Sequence, residues 1–304
     1  MHRDASLQRP LVRKAVVPAA GLGTRHFPAA HAVKKELFPV VGPDGIARAL
    51  IHYHLLELTS AGIEEICVIV QPGEDRTIRA YLEGPGDEYL GRLAKFPALL
   101  AEARRMRDLA ARVSFAVQER QEGYGHAVYQ TKDFAAGELV LLCLGDHLFR
   151  GKPVSPYQEL AQMAAKANGR SVSAVNRIGP ADLKGYGTIA GTRWKEQPRV
   201  IDVSLIVEKP DVATARSRLR VDALEEDVFL GWFGMHLLAP SIYDVLEEMI
   251  RDDIRDNGEF QLTRAQEIQR QREGYLALEV SNAQRFDFGV PDDFVRSVQA
   301  FRQG

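Results

Sequence analysis

Residue types that could hold phosphate are concentrated in residues 14–41, which read KAVVPAAGLGTRHFPAAHAVKKELFPVV. An apolar strand is followed there by turn residues with little or no side chain: Ala20, Gly21 and Gly23. Such residues let a ligand approach the backbone closely. Arg25 and Lys35 come next, and a charge-assisted hydrogen bond from each to phosphate would contribute about 1.5–3 kcal/mol. The pattern predicts a triphosphate-binding loop at the end of a strand in an open α/β sheet.

The same residues also fit a tight turn whose basic side chains lie in solvent. Two familiar phosphate motifs do not apply. The Walker loop requires G-x-x-x-x-G-K-[ST], which no stretch of the sequence supplies. The dinucleotide fingerprint requires a third glycine where His26 stands.

Two carboxylates are candidates for a magnesium site. Asp146 follows the apolar run LVLLCLG, and ligands gather beyond the carboxyl ends of strands in α/β sheets. Magnesium usually takes one or two protein carboxylates together with phosphate oxygens and water. Asp287, in RFDFG, is the natural second ligand. Either aspartate alone would equally fit a loop or helix-capping residue.

The segments PAAGLGTR and KKELFPVV resemble the signature of bacterial UTP:glucose-1-phosphate uridylyltransferases, within the sugar-phosphate nucleotidyltransferase superfamily. The resemblance extends from about Lys14 to Phe301. It implies a three-layer, Rossmann-like α/β fold, with a mixed, mostly parallel central sheet and a smaller sugar-binding annex. It also implies UTP and glucose 1-phosphate as substrates, Mg²⁺ as cofactor and a dimer or tetramer. Asp146 and Asp287 match the metal-binding positions of the family, and Asp146 also lies on the nucleotide side.

Further positions take their expected roles from this resemblance. VQERQEGYGHAV matches the nucleobase segment, in which Gln118 would read uracil and the backbone of Gly123 would approach the base. In GYGTIAG, the amide of Gly187 would contact a sugar hydroxyl. Glu208 and Lys209, in LIVEKP, match the pair that holds glucose 1-phosphate, although an exposed ion pair is the alternative. Arg25, Lys35 and Lys209 are the expected catalytic cations.

The chain departs from the family pattern at several places, most of them on the sugar side. A longer segment, GPDGIARALIHY, spans residues 42–53. Single residues also differ from the usual type: Lys34 for proline, His147 for an aliphatic residue, Gly185 for arginine, Phe229 for asparagine and Arg264 for an acidic residue. The same chemistry with another nucleotide, such as dTTP, or with another sugar 1-phosphate therefore remains an alternative. A non-catalytic nucleotide-sugar-binding relative is a further one.

Composition limits the remaining possibilities. With 304 residues, 45% of them hydrophobic, the chain can bury one large core or a core with an annex. A formal net charge of −2 predicts no general attraction to nucleic acid or to an anionic membrane. Cys67 and Cys143 lie in apolar runs and are expected to be buried thiols in a reducing cytoplasm. No apolar run reaches the roughly 18 residues of a membrane span.

Apolar strand segments alternate with helical ones through the first half of the chain, which favours a three-layer α/β sheet. Extended segments after about residue 180 are expected to pair around a substrate pocket. We expect residues 1–12 to be a flexible tail and residues 13–304 to form one catalytic domain. Its nucleotide-binding part would span about 13–150, and its sugar-binding and metal-completing part about 151–304. Residues 83–112 read as an insertion with a surface helix.

Overall fold

The computed structural model describes residues 11–280 and 283–303. Most of the predicted tail, residues 1–12, therefore lies outside the described residues, while Val12 is buried in the core. The strands are β1 (Lys14–Pro18), β2 (Pro39–Val41), β3 (Ala47–Ala49), β4 (Glu65–Val70), β5 (Val113–Val117), β6 (Val140–Cys143), β7 (His147–Gly151), β8 (Val172–Ile178), β9 (Thr188–Arg193), β10 (Val200–Val207), β11 (Phe229–Leu238), β12 (Leu276–Glu279) and β13 (Ala283–Asp287). The helices are α1 (Ala29–Ala32), α2 (Leu50–Ser60), α3 (Asp75–Glu83), α4 (Asp87–Leu93), α5 (Pro97–Ala110), α6 (Tyr124–Tyr129), α7 (Lys132–Ala135), α8 (Pro156–Gln162), α9 (Val212–Arg218), α10 (Ser241–Arg251), α11 (Leu262–Glu273) and α12 (Pro291–Gln303).

A mixed sheet of nine strands lies at the centre of this described part, in the order β5-β4-β1-β6-β11-β8-β12-β10-β9. Strands β5, β4, β1 and β6 pair in parallel. Strands β11 and β10 run against their neighbours. The other seven of the nine point the same way, which confirms the expected mixed, mostly parallel sheet.

Helices cover both faces of this sheet. Successive strand residues point to opposite faces. In β1, Ala15 and Val17 pack in one apolar cluster with residues of α2 and α8, whereas Val16 packs in another with residues of α6 and α10. All three are fully buried, as expected for a parallel strand covered on both sides. The expected three-layer α/β architecture is therefore confirmed.

The extended segments expected after residue 180 are β9, β10 and β11, and all three join the main sheet. The sugar-side candidates beside them thus share one rigid framework with the phosphate loop. No helix in residues 11–280 or 283–303 is long and apolar enough to cross a membrane.

A separate two-stranded ribbon, β7–β13, places the C-terminal part of the chain against the end of β6. Its antiparallel register pairs Asp287 with His147. The apolar face of α12, formed by Phe294, Val298 and Phe301, packs in a cluster with Phe286 of β13. This packing holds the ribbon in place.

The insertion at residues 83–112 forms α4 and α5, and α5 is tied to the segment at residues 42–53 by a buried ion pair. Arg48 Nε lies 2.5 Å from Glu102 Oε1, and Arg48 Nη2 lies 2.9 Å from Glu102 Oε2. His52 Nε2 is 3.2 Å from the same carboxylate. A buried ion pair therefore joins the insertion to the segment at residues 42–53, which departs from the family pattern.

Replacing Arg48 with Met should lower the free energy of unfolding by about 3 kcal/mol, because a buried carboxylate loses its partner. Glu102 is then left with His52, whose pKa burial lowers to about 4, and with the exposed Arg105 at 3.8 Å. The double variant Arg48→Met, Glu102→Leu should recover most of the loss, since no unpaired charge remains buried; Asp44, the other partner of Arg48, is exposed. Urea denaturation of the three proteins measures this. Equal losses in the single and double variants would contradict it.

Candidate active site

The phosphate loop opens onto a cavity of about 440 Å³ at the carboxyl end of β1. Predicted site residues that line this cavity are Ala20, Gly21, Arg25, Lys35, Gln118, Gly123 and Asp146. Gly23 lies outside this lining. Its φ of 65° turns the chain into the short 3-10 helix Thr24–His26. The small residues and cations of the loop thus meet the predicted aspartate and the base-side residues in one place.

Close packing of β6 against β1 brings Asp146 to this cavity. The two strands are parallel neighbours, so their carboxyl ends lie side by side. Between β6 and Asp146 stands Gly145, where a Cβ atom would lie 2.1 Å from the carbonyl oxygen of Pro18. Only glycine fits at that distance.

Two buried side chains, His54 and Tyr157, support the turn at Gly145. His54 Nε2 lies 3.2 Å from the carbonyl oxygen of Gly145, and the hydroxyl of Tyr157 lies 3.2 Å from His54 Nδ1. Burial lowers the pKa of His54 to about 4, so the ring is neutral at pH 7. It donates from Nε2 and accepts at Nδ1, so this histidine is a packing residue.

Lys35 is fixed at the cavity by an ion pair with Asp146. Its Nζ donates to Asp146 Oδ2 at 2.7 Å. Burial alone would lower the pKa of Lys35, but Asp146 and Glu36 raise it above its usual value, so the side chain stays protonated. Arg25 is exposed and lines the same cavity. Within the described residues it has no ion pair, which leaves its guanidinium available to an anion.

Asp287 reaches Asp146 through the β7–β13 ribbon. The amide of Phe288 donates to the carbonyl oxygen of Asp146 at 2.8 Å. Between the two carboxylates stands His147, with Nδ1 2.7 Å from Asp146 Oδ1 and Nε2 3.2 Å from Asp287 Oδ2. Burial lowers the pKa of His147, yet the two carboxylates raise it above its usual value. Burial likewise raises the pKa of each aspartate, but His147 and, for Asp146, Lys35 hold it below its usual range.

The two aspartates approach each other beside Gly289. A Cβ atom at this glycine would lie 2.9 Å from Asp146 Oδ2 and 3.1 Å from Asp287 Oδ1, so two carboxylate oxygens border one small space. Two such oxygens suit Mg²⁺, which completes its shell with water and phosphate. No group of three or more His, Cys, Asp or Glu side chains that could hold a metal occurs in the described ranges. With two protein carboxylates, the rest of a magnesium shell would have to come from phosphate and water.

The base-side residues form a compact unit. Gln118 is buried, and its Nε2 lies 3.1 Å from the carbonyl oxygen of Gly123 and 3.2 Å from His126 Nδ1. Gly123 has φ 112°, and a Cβ atom there would lie 2.8 Å from the carbonyl oxygen of Phe260. Glycine is thus required for packing at this position. Helix α6 begins at Tyr124, so His126 lies inside it.

The sugar-side residues meet at a second cavity of about 550 Å³, lined by Glu208 and Lys209. Glu208 Oε2 accepts a hydrogen bond from Thr263 at 2.7 Å, and Lys209 Nζ lies 3.6 Å from Glu208 Oε1. Lys209 is 58% exposed and has φ 44°, a left-handed conformation that a non-glycine residue adopts at a cost. A Cβ atom at Gly187 would lie 3.0 Å from Glu208 Oε2. Gly187, Glu208 and Lys209 are therefore neighbours.

Three residues of the site carry no signal that sequence reasoning recognised. Glu36 lines the first cavity, is 1% exposed, and has no hydrogen-bond partner for either oxygen within the described residues. Arg285 is half-buried, stacks 4.3 Å over the ring of Tyr186 and lines a third cavity with Asp287. Trp232 packs against Gly187, with its Nε1 2.7 Å from the glycine's Cβ position. For the first two, the sequence offers one hint: Glu36 follows Lys35, and Arg285 is two residues before Asp287.

Known proteins resemble this chain over nearly its whole length. The family model for nucleotidyl transferases matches residues 14–303. A UTP–glucose-1-phosphate uridylyltransferase of Staphylococcus epidermidis is 30% identical over 286 residues, which covers 94% of this chain and 91% of that protein. One of the two from Staphylococcus saprophyticus is 28% identical over 290 residues, with 95% and 92% covered.

Solved structures also resemble this chain over nearly its whole length. A UDP-glucose pyrophosphorylase from Acinetobacter baumannii superposes with a TM-score of 0.75 at 25% identity, covering 95% of this chain and 93% of that one. Another UDP-glucose pyrophosphorylase, complexed with UDP-glucose, superposes with a TM-score of 0.76 over 95% of this chain and 98% of that one. At 24% identity, this second likeness supports the fold alone.

Replacing Glu36 with Gln should change how stability depends on pH. Burial, only partly offset by Lys34 and Lys35, raises the pKa of Glu36 from 4.5 to about 7. The folded state therefore binds this proton more tightly than the unfolded state. The resulting stabilisation is complete below pH 4.5 and is lost as pH rises through 7, an effect of about 3 kcal/mol.

Urea denaturation at pH 5 and pH 8.5 tests this. The stability of Glu36→Gln relative to the original protein should rise between the two pH values, whereas Glu83→Gln, on the exposed surface of α3, should show no such trend. A pH-independent difference for Glu36→Gln would contradict the assignment.

Proposed function

Because the chain belongs to the nucleotidyl transferase family and is an enzyme of that class, we propose that it transfers a uridylyl group from UTP to glucose 1-phosphate. The products would be UDP-glucose and pyrophosphate. The observation that carries the proposal is the convergence of Lys35, Asp146 and Asp287 beside the phosphate loop. Relatives named for this activity support the choice of substrates.

In this reaction a phosphate oxygen of glucose 1-phosphate attacks the α-phosphorus of UTP, and the bond to the β-phosphate oxygen breaks. The nucleophile is already an anion near neutral pH, so no general base is needed. Catalysis then depends on in-line alignment and on reducing the repulsion between anions. We assign Arg25 and Lys35 to the triphosphate, because both line the cavity beside Gly21 and both are cations.

Asp146 and Asp287 would hold Mg²⁺ in the space beside Gly289. When bound there, the ion would neutralise charge on the phosphates and orient them. Lys35 contacts the same Asp146 Oδ2 that borders this space, so its ammonium would also lie close to the triphosphate. The two cations would thus act on the same group of phosphate oxygens.

On the base side, we assign the uracil contact to Gln118 Oε1. The Nε2 group of this side chain already bonds Gly123 and His126, so the amide oxygen is the atom left to accept the N3–H of uracil. On the sugar side, Glu208 would accept hydrogen bonds from sugar hydroxyls and Lys209 would screen the phosphate. Gly187 would contribute its backbone amide.

The same chemistry with a different sugar phosphate or nucleotide is the second candidate. Arg264 favours it, because this residue stands where the family pattern has an acidic one and lines the sugar-side cavity together with Glu208 and Lys209. Cys67 and Cys143 are free and buried, which suits the reducing cytoplasm that we propose as the location. A dimer or tetramer stays a prediction.

The direct experiment is an assay of pyrophosphate release with Mg²⁺, UTP and glucose 1-phosphate. We expect release that depends on all three. A panel of UTP, dTTP, ATP and GTP against glucose, galactose and N-acetylglucosamine 1-phosphates separates the two candidates. Faster turnover with another pair would favour the second candidate, and no release from any pair by folded protein would contradict both.

Asp146→Asn should reduce kcat by at least about 100-fold, because the variant loses a charge at the cation site and the partner of Lys35. The matched control is Asp133→Asn, on the exposed surface of α7, which should keep full activity. Circular dichroism and thermal unfolding should show that both variants are folded. Full activity of Asp146→Asn would refute its role.

Gln118→Ala should relax the preference among bases more than it slows the best substrate, because the base loses a directional hydrogen bond. The ratio of kcat/KM for UTP to kcat/KM for the other nucleotides measures this. Gln162→Ala on α8 is the control and should leave the ratio unchanged. An unchanged ratio for Gln118→Ala would rule out its assignment to the base.

A further inference from the structure

A single imidazole joins the two aspartates of the proposed cation site. His147 Nδ1 contacts Asp146 Oδ1 at 2.7 Å, and Nε2 contacts Asp287 Oδ2 at 3.2 Å. Each ring nitrogen thus engages a different carboxylate. Each carboxylate uses only one of its oxygens for this contact.

The remaining oxygens point to a common place. Asp146 Oδ2 lies 2.9 Å, and Asp287 Oδ1 lies 3.1 Å, from the position that a Cβ atom of Gly289 would take. These are the two oxygens that His147 does not contact. Asp146 Oδ2 also accepts from Lys35, and Asp287 Oδ1 accepts from the amide of Gly289, so both are held from more than one side.

The imidazole is itself held firmly. Its side chain is 13% exposed, and it lies on β7 directly opposite Asp287 in the ribbon register. The ring stacks on Phe149, with centroids 6.4 Å apart and planes inclined by 16°. Phe149 is buried and contacts Tyr157 and Phe233 in the core. The position of the ring is therefore fixed by the core.

We propose that His147 is a positioning residue that fixes the spacing and orientation of Asp146 and Asp287 for a divalent cation. The ring contacts Asp146 Oδ1 and Asp287 Oδ2. Asp146 Oδ2 and Asp287 Oδ1 then face the cation beside Gly289. The inference rests on one part of the proposed function, the cation site formed by Asp146 and Asp287. An aliphatic residue, which is usual at this position in the family that the sequence resembles, cannot make either contact.

Cation affinity, measured apart from turnover, tests the proposal. Mn²⁺ binding can be followed by electron paramagnetic resonance with saturating UTP, against a titration of UTP alone. His147→Leu removes both contacts and should weaken Mn²⁺ binding by about 10–100-fold, as loss of a residue that orients metal ligands does. His147→Asn can still reach Asp146, and His147→Gln can still reach Asp287. Both should show intermediate losses.

A second readout separates positioning from general damage. The Mg²⁺ concentration for half-maximal activity should rise in parallel with the Mn²⁺ dissociation constant, while kcat at saturating Mg²⁺ changes less. His31→Leu, at an exposed position on α1, is the control for histidine loss and should leave both values unchanged. Thermal unfolding verifies the fold, and the Asn and Gln variants carry the test if the Leu variant is unstable.

Two outcomes would overturn the proposal. Unchanged Mn²⁺ affinity in folded His147 variants would show that the aspartates keep their arrangement without the ring. Tighter Mn²⁺ binding would show that the ring competes with the cation for the carboxylates. Mn²⁺ binding is measured without turnover. An enzyme inactive with UTP and glucose 1-phosphate would therefore contradict the proposed function, while the Mn²⁺ affinities would still test the role of His147.

Discussion

The arrangement of charge in the site depends on a series of three contacts: Lys35 with Asp146, Asp146 with His147, and His147 with Asp287. Two carboxylates this close together would repel each other and raise each other's pKa. His147 between them and Lys35 beside them reverse that effect, so the pKa values of both aspartates lie below their usual range. These contacts therefore keep two ionised carboxylates available in a mostly buried site. A divalent cation needs the carboxylates in that state, and a triphosphate would bind through the cation.

The topology of the sheet brings these four residues together from distant parts of the sequence. The parallel pairing of β1 with β6 places the phosphate loop beside Asp146, and Gly145 permits the close approach. The β7–β13 ribbon then brings Asp287 opposite His147, and α12 covers its outer side. Since each of these contacts joins residues that are far apart in the chain, the site forms only when the whole fold does. Mutations in the core beneath the ribbon are therefore expected to alter the site as well.

Local sequence patterns predicted much of this structure. Apolar runs such as Glu65–Val70 gave strands, and a strand end followed by Asp146 correctly placed that residue at the cavity of the phosphate loop. What could not be predicted depends on contacts between distant segments. The burial of Glu36, the bridging by His147 and the stacking of Arg285 on Tyr186 are all of this kind. Periodicity and spacing report one segment at a time and carry no information on such pairs.

We propose that Asp146 and Asp287 form one cation site beside the phosphate loop. Anomalous diffraction from crystals grown with Mn²⁺ and UTP would locate a cation there directly. We expect one strong peak within coordination distance of Asp146 Oδ2 and Asp287 Oδ1, beside Gly289, with the triphosphate on the Lys35 side. A peak that contacts neither carboxylate, with UTP bound in the cavity, would contradict it.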